Sequence, residues 1–268
     1  MTAPARVLSI AGSDSGGGAG LQADIKTLSA FGCYAMTAVT AITVQDTTGV
    51  YGVHPVPPEI VKGQITRVLG DIGADAIKIG MLGSADIVSA VAEGLALYDS
   101  IPLVLDTVMF AKGGAALLDE GGVQALKTQL IGRADLVTPN APEAAALAEM
   151  RVETSDDLVQ AGQALIALGA KAALVKGGHL EGETVTDALV TPYDVHLFEG
   201  WRLETTSTHG TGCTLASACA AGLAQGMTLY DAVARAHRFV QDAIRTAPGF
   251  GHGSGPLNHL HWLDTAED

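Results

Sequence analysis

Short runs of unbroken apolar residues recur along this chain, each separated from the next by ten or more residues of helical pattern, and no other feature narrows its possible folds so far. The runs are "RVLSIAG", "YAMTAVTAITVQD", "DAIKIG", "PLVLDTV", "ADLVTP" and "AALVKGG". Between them the pattern predicts helices over residues 21–31, over "PPEIVKGQITRVLG" with Pro at its start, over 85–98, near 123–131, and twice between 141 and 168. Strands apolar on both faces and spaced by helices require a parallel sheet covered on both sides, so the fold class is α/β. After Lys176 the rhythm changes: "VTDALVTP" and "VHLFEGWRLE" leave no room for a helix, which predicts antiparallel strands at one edge. Two helices follow, within residues 208–226 and over "TLYDAVARAHRFVQDAIRTA". The second has Thr228 and Asp231 at capping-box spacing and Pro248-Gly249 as its stop. With no internal repeat, low-complexity tract or linker, residues 1–268 are expected to form a single domain.

The totals exclude several classes of function. Hydrophobic residues make up 48% and charged residues 16%, yet no apolar run is long enough to cross a bilayer, and the apolar segment in "MTAPARVLSIAGS" is too short for a signal peptide. A cytoplasmic protein without a membrane partner is expected. Cys33, Cys213 and Cys219 lack CxxC or Cys/His spacing, which argues against a disulfide framework or structural zinc. A formal charge of −14 disfavours nucleic acid and anionic membranes, so an anionic ligand would have to be held by local donors.

One place offers such donors. In "THGTGCTLASACAAGLAQG" the segment after Gly212 is apolar nearly all round, as in a helix packed on several sides. Its N-terminus presents unpaired N–H groups and the positive end of the dipole, and Gly210 and Gly212, flanking Thr211, let an anion approach them. A tight turn with Cys213 as a small core residue is the alternative. If the site is chemical, the helix end is expected to depress the Cys213 pKa, fitting the thiol to take a proton from a substrate hydroxyl or to hydrogen-bond it.

Other strand ends carry candidates too. The loop "AGSDSGGGAGLQAD" matches G-x-G-x-x-A at Gly18, Gly20 and Ala23, but too far from its strand for a dinucleotide fingerprint; Asp24 stands beside it. No Gly-Lys-Ser/Thr occurs. Asn140 and Glu143 in "VTPNAPEAA" could hold a hydrated Mg²⁺ or could serve as helix-start residues. Lys176 fits a point charge on phosphate or a solvated strand end, and Asp106 in "VLDTVM" an outer metal partner or a cap. Gln45 ends its strand either as a polar loop residue or, with one amide acceptor and two donors, as the complement of an aminopyrimidine edge. Their shared position at the carboxyl ends of parallel strands favours one joint site.

"SIAGSDSGGGAGLQADIKT", "TAITVQDT", "KIGMLGS", "VLDTVMFAKGG", "TPNAPEA", "LVKGGH" and "HGTGCTLASA", in that order, resemble the ribokinase-like superfamily and within it the hydroxymethylpyrimidine/phosphomethylpyrimidine kinases of thiamin biosynthesis. The resemblance implies a three-layer α/β sandwich, with a mostly parallel sheet between helices and a few antiparallel edge strands. It also implies ATP- and Mg²⁺-dependent phosphorylation of 4-amino-5-hydroxymethyl-2-methylpyrimidine to the monophosphate and then the diphosphate, and a homodimer. The family's pyrimidine contacts fall on Gly12, Ala19, Asp24, Gln45, Met81 and Val108, with Cys213 near the reacting hydroxyl. The anion-binding turn falls on Gly210, Thr211 and Gly212, the phosphate lysine on Lys176, and the metal-linked residues on Asn140 and Glu143, with Asp106 beside them. Lys112 lies in what resembles the family's mobile phosphate-covering loop. Most superfamily relatives have Asp at position 213, and this family usually has Pro where Thr107 stands. The neighbouring expectation is a pyridoxal kinase. A binding protein without turnover and a Rossmann dehydrogenase are the readings from other classes.

Overall fold

A computed structural model describes residues 3–111, 114 and 116–262. The expected alternation is present, from β1 (Arg6–Ser13), α1 (Gly20–Ala30), β2 (Tyr34–Gln45), β3 (Val50–Pro55) and α2 (Pro58–Asp71) to β4 (Ala76–Ile79) and α3 (Ala85–Leu95). It continues through β5 (Leu103–Leu105), α4 (Glu120–Gln129), β6 (Leu136–Val137), α5 (Ala141–Ala148), α6 (Ser155–Ala167) and β7 (Ala173–Lys176). The chain then runs through β8 (Thr184–Val190), β9 (Val195–Trp201), α7 (Thr211–Ala224) and α8 (Leu229–Arg245).

All nine strands join one sheet in the order β3-β2-β1-β4-β5-β6-β7-β8-β9, parallel from β2 through β7. The period of two explains why these strands read as unbroken apolar runs. Leu8, Ile10, Ile77, Ile79, Leu103, Leu105, Val137, Ala173 and Val175 face α2 to α6, whereas Val7, Val104, Leu136 and Leu174 face α1, α7 and α8. The second layer closes on Phe239, which has no exposed surface and lies 4.7 Å from Phe31 and 5.0 Å from Trp262 between ring centroids. Burying one such ring contributes about 2–3 kcal/mol.

Antiparallel strands occur at β8 and β9 as expected, but also at the opposite edge, where β3 pairs with β2. The sequence signal for that hairpin is the turn "DTTG", in which Asp46 Oδ1 accepts from the N–H groups of Thr48 and Gly49 at 2.7 and 3.1 Å. Of the six residues of β3 only Val50 and Gly52 are half-buried and the rest are exposed, and no unbroken apolar run announces them.

Topology fixes where a ligand can sit. From β1 the chain steps to β2 on one side and later returns to β4 on the other, so the order reverses between β1 and β4. In open α/β sheets the crevice outside the carboxyl ends at such a reversal is where ligands bind.

Candidate active site at the strand-order reversal

At the carboxyl end of β1, Gly12 leaves space that Met81, just beyond β4, fills: a Cβ on Gly12 would lie 2.5 Å from Met81 Cε. The loop after β1 is held by Asp14, whose carboxylate accepts from the N–H groups of Gly16, Gly18 and Ala19 at 2.8, 3.1 and 2.8 Å. These bonds and a contact with His209 hold the Asp14 carboxyl below the usual carboxylate range, although burial pushes the other way.

The loop lies against the turn that opens α7. Gly210 caps that helix at φ 84°, a left-handed conformation that disfavours side chains, and a Cβ there would collide with the carbonyl oxygen of Gly18. The first helical bond runs from Thr214 N–H to Gly210 O at 2.9 Å, so the N–H groups of Thr211, Gly212 and Cys213 precede the helical ladder. Beside this turn Lys176 Nζ lies 3.2 Å from Asp106 Oδ1, which also accepts from Thr138 Oγ1 at 3.2 Å. A Cβ on Gly212 would stand 3.0 Å from that Nζ and 3.7 Å from Asp106 Oδ1. Burial works against both charges, yet the Lys176 pKa is raised by Asp106 and Glu143, and that of Asp106 is lowered by Lys176 and Lys78.

Asn140 and Glu143 form the capping box of α5: Glu143 N–H donates to Asn140 Oδ1 and Asn140 N–H to Glu143 Oε2, both at 3.0 Å. Thr107 Oγ1, where the family usually has proline, donates to Glu143 Oε2 at 3.2 Å, and Met109 N–H donates to Oε1 at 3.3 Å. Burial raises the Glu143 pKa despite Lys176. Among the described residues no three His, Cys, Asp or Glu side chains converge on one point. Asp106 and Glu143 therefore supply hard oxygen donors of the kind a water-rich Mg²⁺ accepts, without a closed cage.

Cys213 as a residue is partly exposed, but its thiol is enclosed and receives a hydrogen bond from Gly20 N–H. The depression of its pKa expected from the helix end is absent. Desolvation pushes the thiol up to about 12 against the pull of Lys78, because burial outweighs that pull and the nearby Asp106 and Asp24 carboxylates add to the rise.

Asp24 and its partner Lys78 have no exposed surface. Lys78 Nζ lies 2.9 and 3.0 Å from the two carboxylate oxygens, and Ser9 Oγ and Ser217 Oγ donate to them at 2.6 and 2.8 Å. Burial alone would lower the Lys78 pKa, but Asp24 and the surrounding negative groups raise it. Asp24 is thus embedded in a buried polar cluster, unlike the partly exposed Ala19, Gln45 and Val108.

At the end of β2, Gln45 Oε1 lies 3.2 Å from Thr43 Oγ1 and Gln45 Nε2 lies 3.1 Å from His209 Nε2, itself 2.9 Å from Asp14 Oδ2. Gly12, Ala19, Gln45 and Met81 thus line the β1/β4 side, while Gly210 to Cys213, Lys176 and Asp106 gather at the α7 end. Lys112 lies outside the described residues. Sequence reasoning passed over Asp14, Lys78 and His209. A lysine inside the apolar strand "DAIKIG" was the readable signal for one of them, since a charge there needs a partner.

A family profile described as phosphomethylpyrimidine kinase matches residues 14–258. The chain is 46% identical to a hydroxymethylpyrimidine/phosphomethylpyrimidine kinase of Streptomyces coelicolor, over 96% of this chain and 94% of that protein. It is 47% identical to a thiamine biosynthesis bifunctional protein, ThiED, of Geobacter sulfurreducens, over 98% of this chain but only 54% of that longer protein. Among solved structures it is similar to an ADP complex of Bacillus subtilis pyridoxal kinase, with TM-score 0.90 and 35% identity over 96% of this chain and 98% of that one.

Proposed function

The chain belongs to the phosphomethylpyrimidine kinase family, and from that premise we propose that it transfers the γ-phosphoryl group of ATP to the hydroxymethyl oxygen of 4-amino-5-hydroxymethyl-2-methylpyrimidine. It then phosphorylates that monophosphate to the diphosphate, serving thiamin biosynthesis. The observation that carries this reading is the meeting of an open helix N-terminus, flanked by Lys176, with the amide of Gln45 at one strand-order reversal.

In this reading the pyrimidine lies over Gly12, Ala19, Met81 and Val108 with its edge on Gln45, while the Asp24–Lys78 pair fixes the cluster beneath. The N–H groups of Thr211, Gly212 and Cys213 hold the oxygens of the transferring phosphoryl, and Lys176 neutralises its charge. Asp106 and Glu143, with Asn140, would hold Mg²⁺ through water, and the ion would supply charge neutralisation between the phosphates and these carboxylates. A thiol raised to about 12 is protonated at neutral pH. Cys213 accordingly orients the hydroxyl by hydrogen bonding, which suffices because phosphoryl transfer goes mainly through a loose transition state that needs positioning and charge neutralisation more than a strong base.

We further read the chain as one catalytic domain acting as a cytoplasmic homodimer. Support for the dimer is the apolar surface of the β2–β3 hairpin, where Ile42, Val44 and Tyr51 are exposed. Support for a reducing compartment is that Cys33, Cys213 and Cys219 are unpaired thiols. Pyridoxal phosphorylation is the second reading, favoured by the likeness to the Bacillus subtilis enzyme. Steady-state kinetics with ATP, Mg²⁺ and each alcohol separates the two: the aminopyrimidine is expected to show much the higher kcat/KM, and a preference for pyridoxal would overturn the substrate assignment.

A further inference from the structure

The bonds around Gln45 can be counted proton by proton. His209 Nε2 lies 2.9 Å from Asp14 Oδ2, an oxygen that also accepts from Gly18 and Ala19 and has no proton to give. A bare nitrogen facing a carboxylate oxygen at that distance would be repelled, so His209 Nε2 carries hydrogen whether the ring is neutral or charged. An N–H cannot also accept, yet the near end of the Gln45 amide lies 3.1 Å from the same nitrogen. That end must therefore be the amide oxygen, which shares the single Nε2 hydrogen with Asp14 Oδ2 in a three-centre bond.

The far end gives the same answer by a separate route. Thr43 Oγ1 has one hydrogen, and Ser13 O, which can only accept, takes it at 2.9 Å. What Thr43 has left for the Gln45 amide 3.2 Å away is a lone pair, which calls for an N–H. Amide nitrogen and oxygen occupy interchangeable positions, so partners decide which is which.

We infer that Asp14, acting through His209, and Thr43, acting directly, lock the Gln45 amide with its oxygen toward His209 and its NH₂ toward Thr43, and that this lock selects the ligand. Resting on the function proposed above, it leaves one lone pair on the His209 side and one N–H on the Thr43 side. A 4-aminopyrimidine fits with its exocyclic NH₂ toward His209 and its ring nitrogen toward Thr43. The 4-oxo analogue in its lactam form offers the opposite order, a carbonyl beside a ring N–H, and a locked amide meets it with two mismatched pairs. An amide free to turn over would accept either. Asp14, His209 and Thr43 are positioning residues in this arrangement.

Two measurements test it. Long-range ¹H–¹⁵N NMR on the ligand-free full chain, with His209 assigned by comparison with His209→Asn, should show Nε2 protonated; a neutral ring protonated only at Nδ1 would overturn the lock. Kinetically, the wild type should prefer the 4-aminopyrimidine over its 4-oxo analogue by about a hundredfold or more in kcat/KM. Thr43→Val should cut that preference about tenfold, mainly through KM for the aminopyrimidine, and Thr43→Ser should restore it. An unchanged preference in Thr43→Val, or a fall in kcat alone, refutes the lock. Failure of the wild type to phosphorylate the aminopyrimidine at all would instead refute the proposed function, while the His209 proton still reports on the lock.

Discussion

Lys176 Nζ and Asp106 Oδ1 lie 3.2 Å apart beside the first turn of α7, so a cation at the helix N-terminus is already paired with an almost fully buried carboxylate. The pair raises one pKa and lowers the other against the cost of burial, which keeps both groups charged at neutral pH. It also places a negative charge close to where phosphate is proposed to bind, a conflict that a divalent cation held there would relieve.

Lys176→Met should lower kcat by about 10²–10³, the usual loss when one stabiliser of a developing anion is removed. It should also destabilise the fold by about 3 kcal/mol or more, because Asp106 is left buried without its nearest cation. Urea unfolding and initial rates check both; full activity in a folded variant would remove Lys176 from the phosphate site.

Gly210→Ala is expected to cost at least about 1–2 kcal/mol from its left-handed backbone alone, before the collision with Gly18 O. The displaced turn should lower kcat along with thermal stability. An alanine variant with unchanged kcat and Tm would show that the close approach is not needed.

Cys213→Ala should lower kcat by more than it weakens ATP binding. Because burial pushes the thiol up to about 12, iodoacetamide should label Cys213 more slowly at pH 7.5 than it labels free cysteine. Faster labelling would revive the depressed thiolate first expected from the helix end.

His259, buried beneath the same turn with Nε2 2.9 Å from Thr214 Oγ1, has its pKa lowered by burial from 6.5 to about 4. The unfolded chain binds a proton at this residue between those values while the folded chain does not, so stability is full above the unfolded pKa and falls with decreasing pH. The loss should approach about 3 kcal/mol by pH 4 at about 1.4 kcal/mol per unit. His259→Asn should flatten the pH profile of the urea midpoint over that window; an equal slope in the variant assigns the effect to other groups.

Most of the architecture was legible because the strands and helices announce themselves by apolar period: Val7 against Leu8, and Val104 against its neighbours, face opposite layers. β3 was not legible, since an edge strand half open to solvent needs no such pattern. Within the site, the residues at strand ends could be located from glycine and proline spacing, but their partners could not. The bonds from Asp14 to His209 and from Asp24 to Ser217 join residues 195 and 193 positions apart, and only the folded chain brings them together. The Cys213 pKa failed for a related reason, since the helix end was visible in the sequence and the enclosing protein was not.

The most direct measurement is a crystal structure of the protein with a non-hydrolysable ATP analogue, Mg²⁺ and the aminopyrimidine. The terminal phosphate is expected about 3 Å from the N–H groups of Thr211, Gly212 and Cys213, with Lys176 on its flank and the pyrimidine edge on Gln45. A terminal phosphate lodged instead in the glycine loop around Gly16 to Gly18, away from the start of α7, would contradict the account.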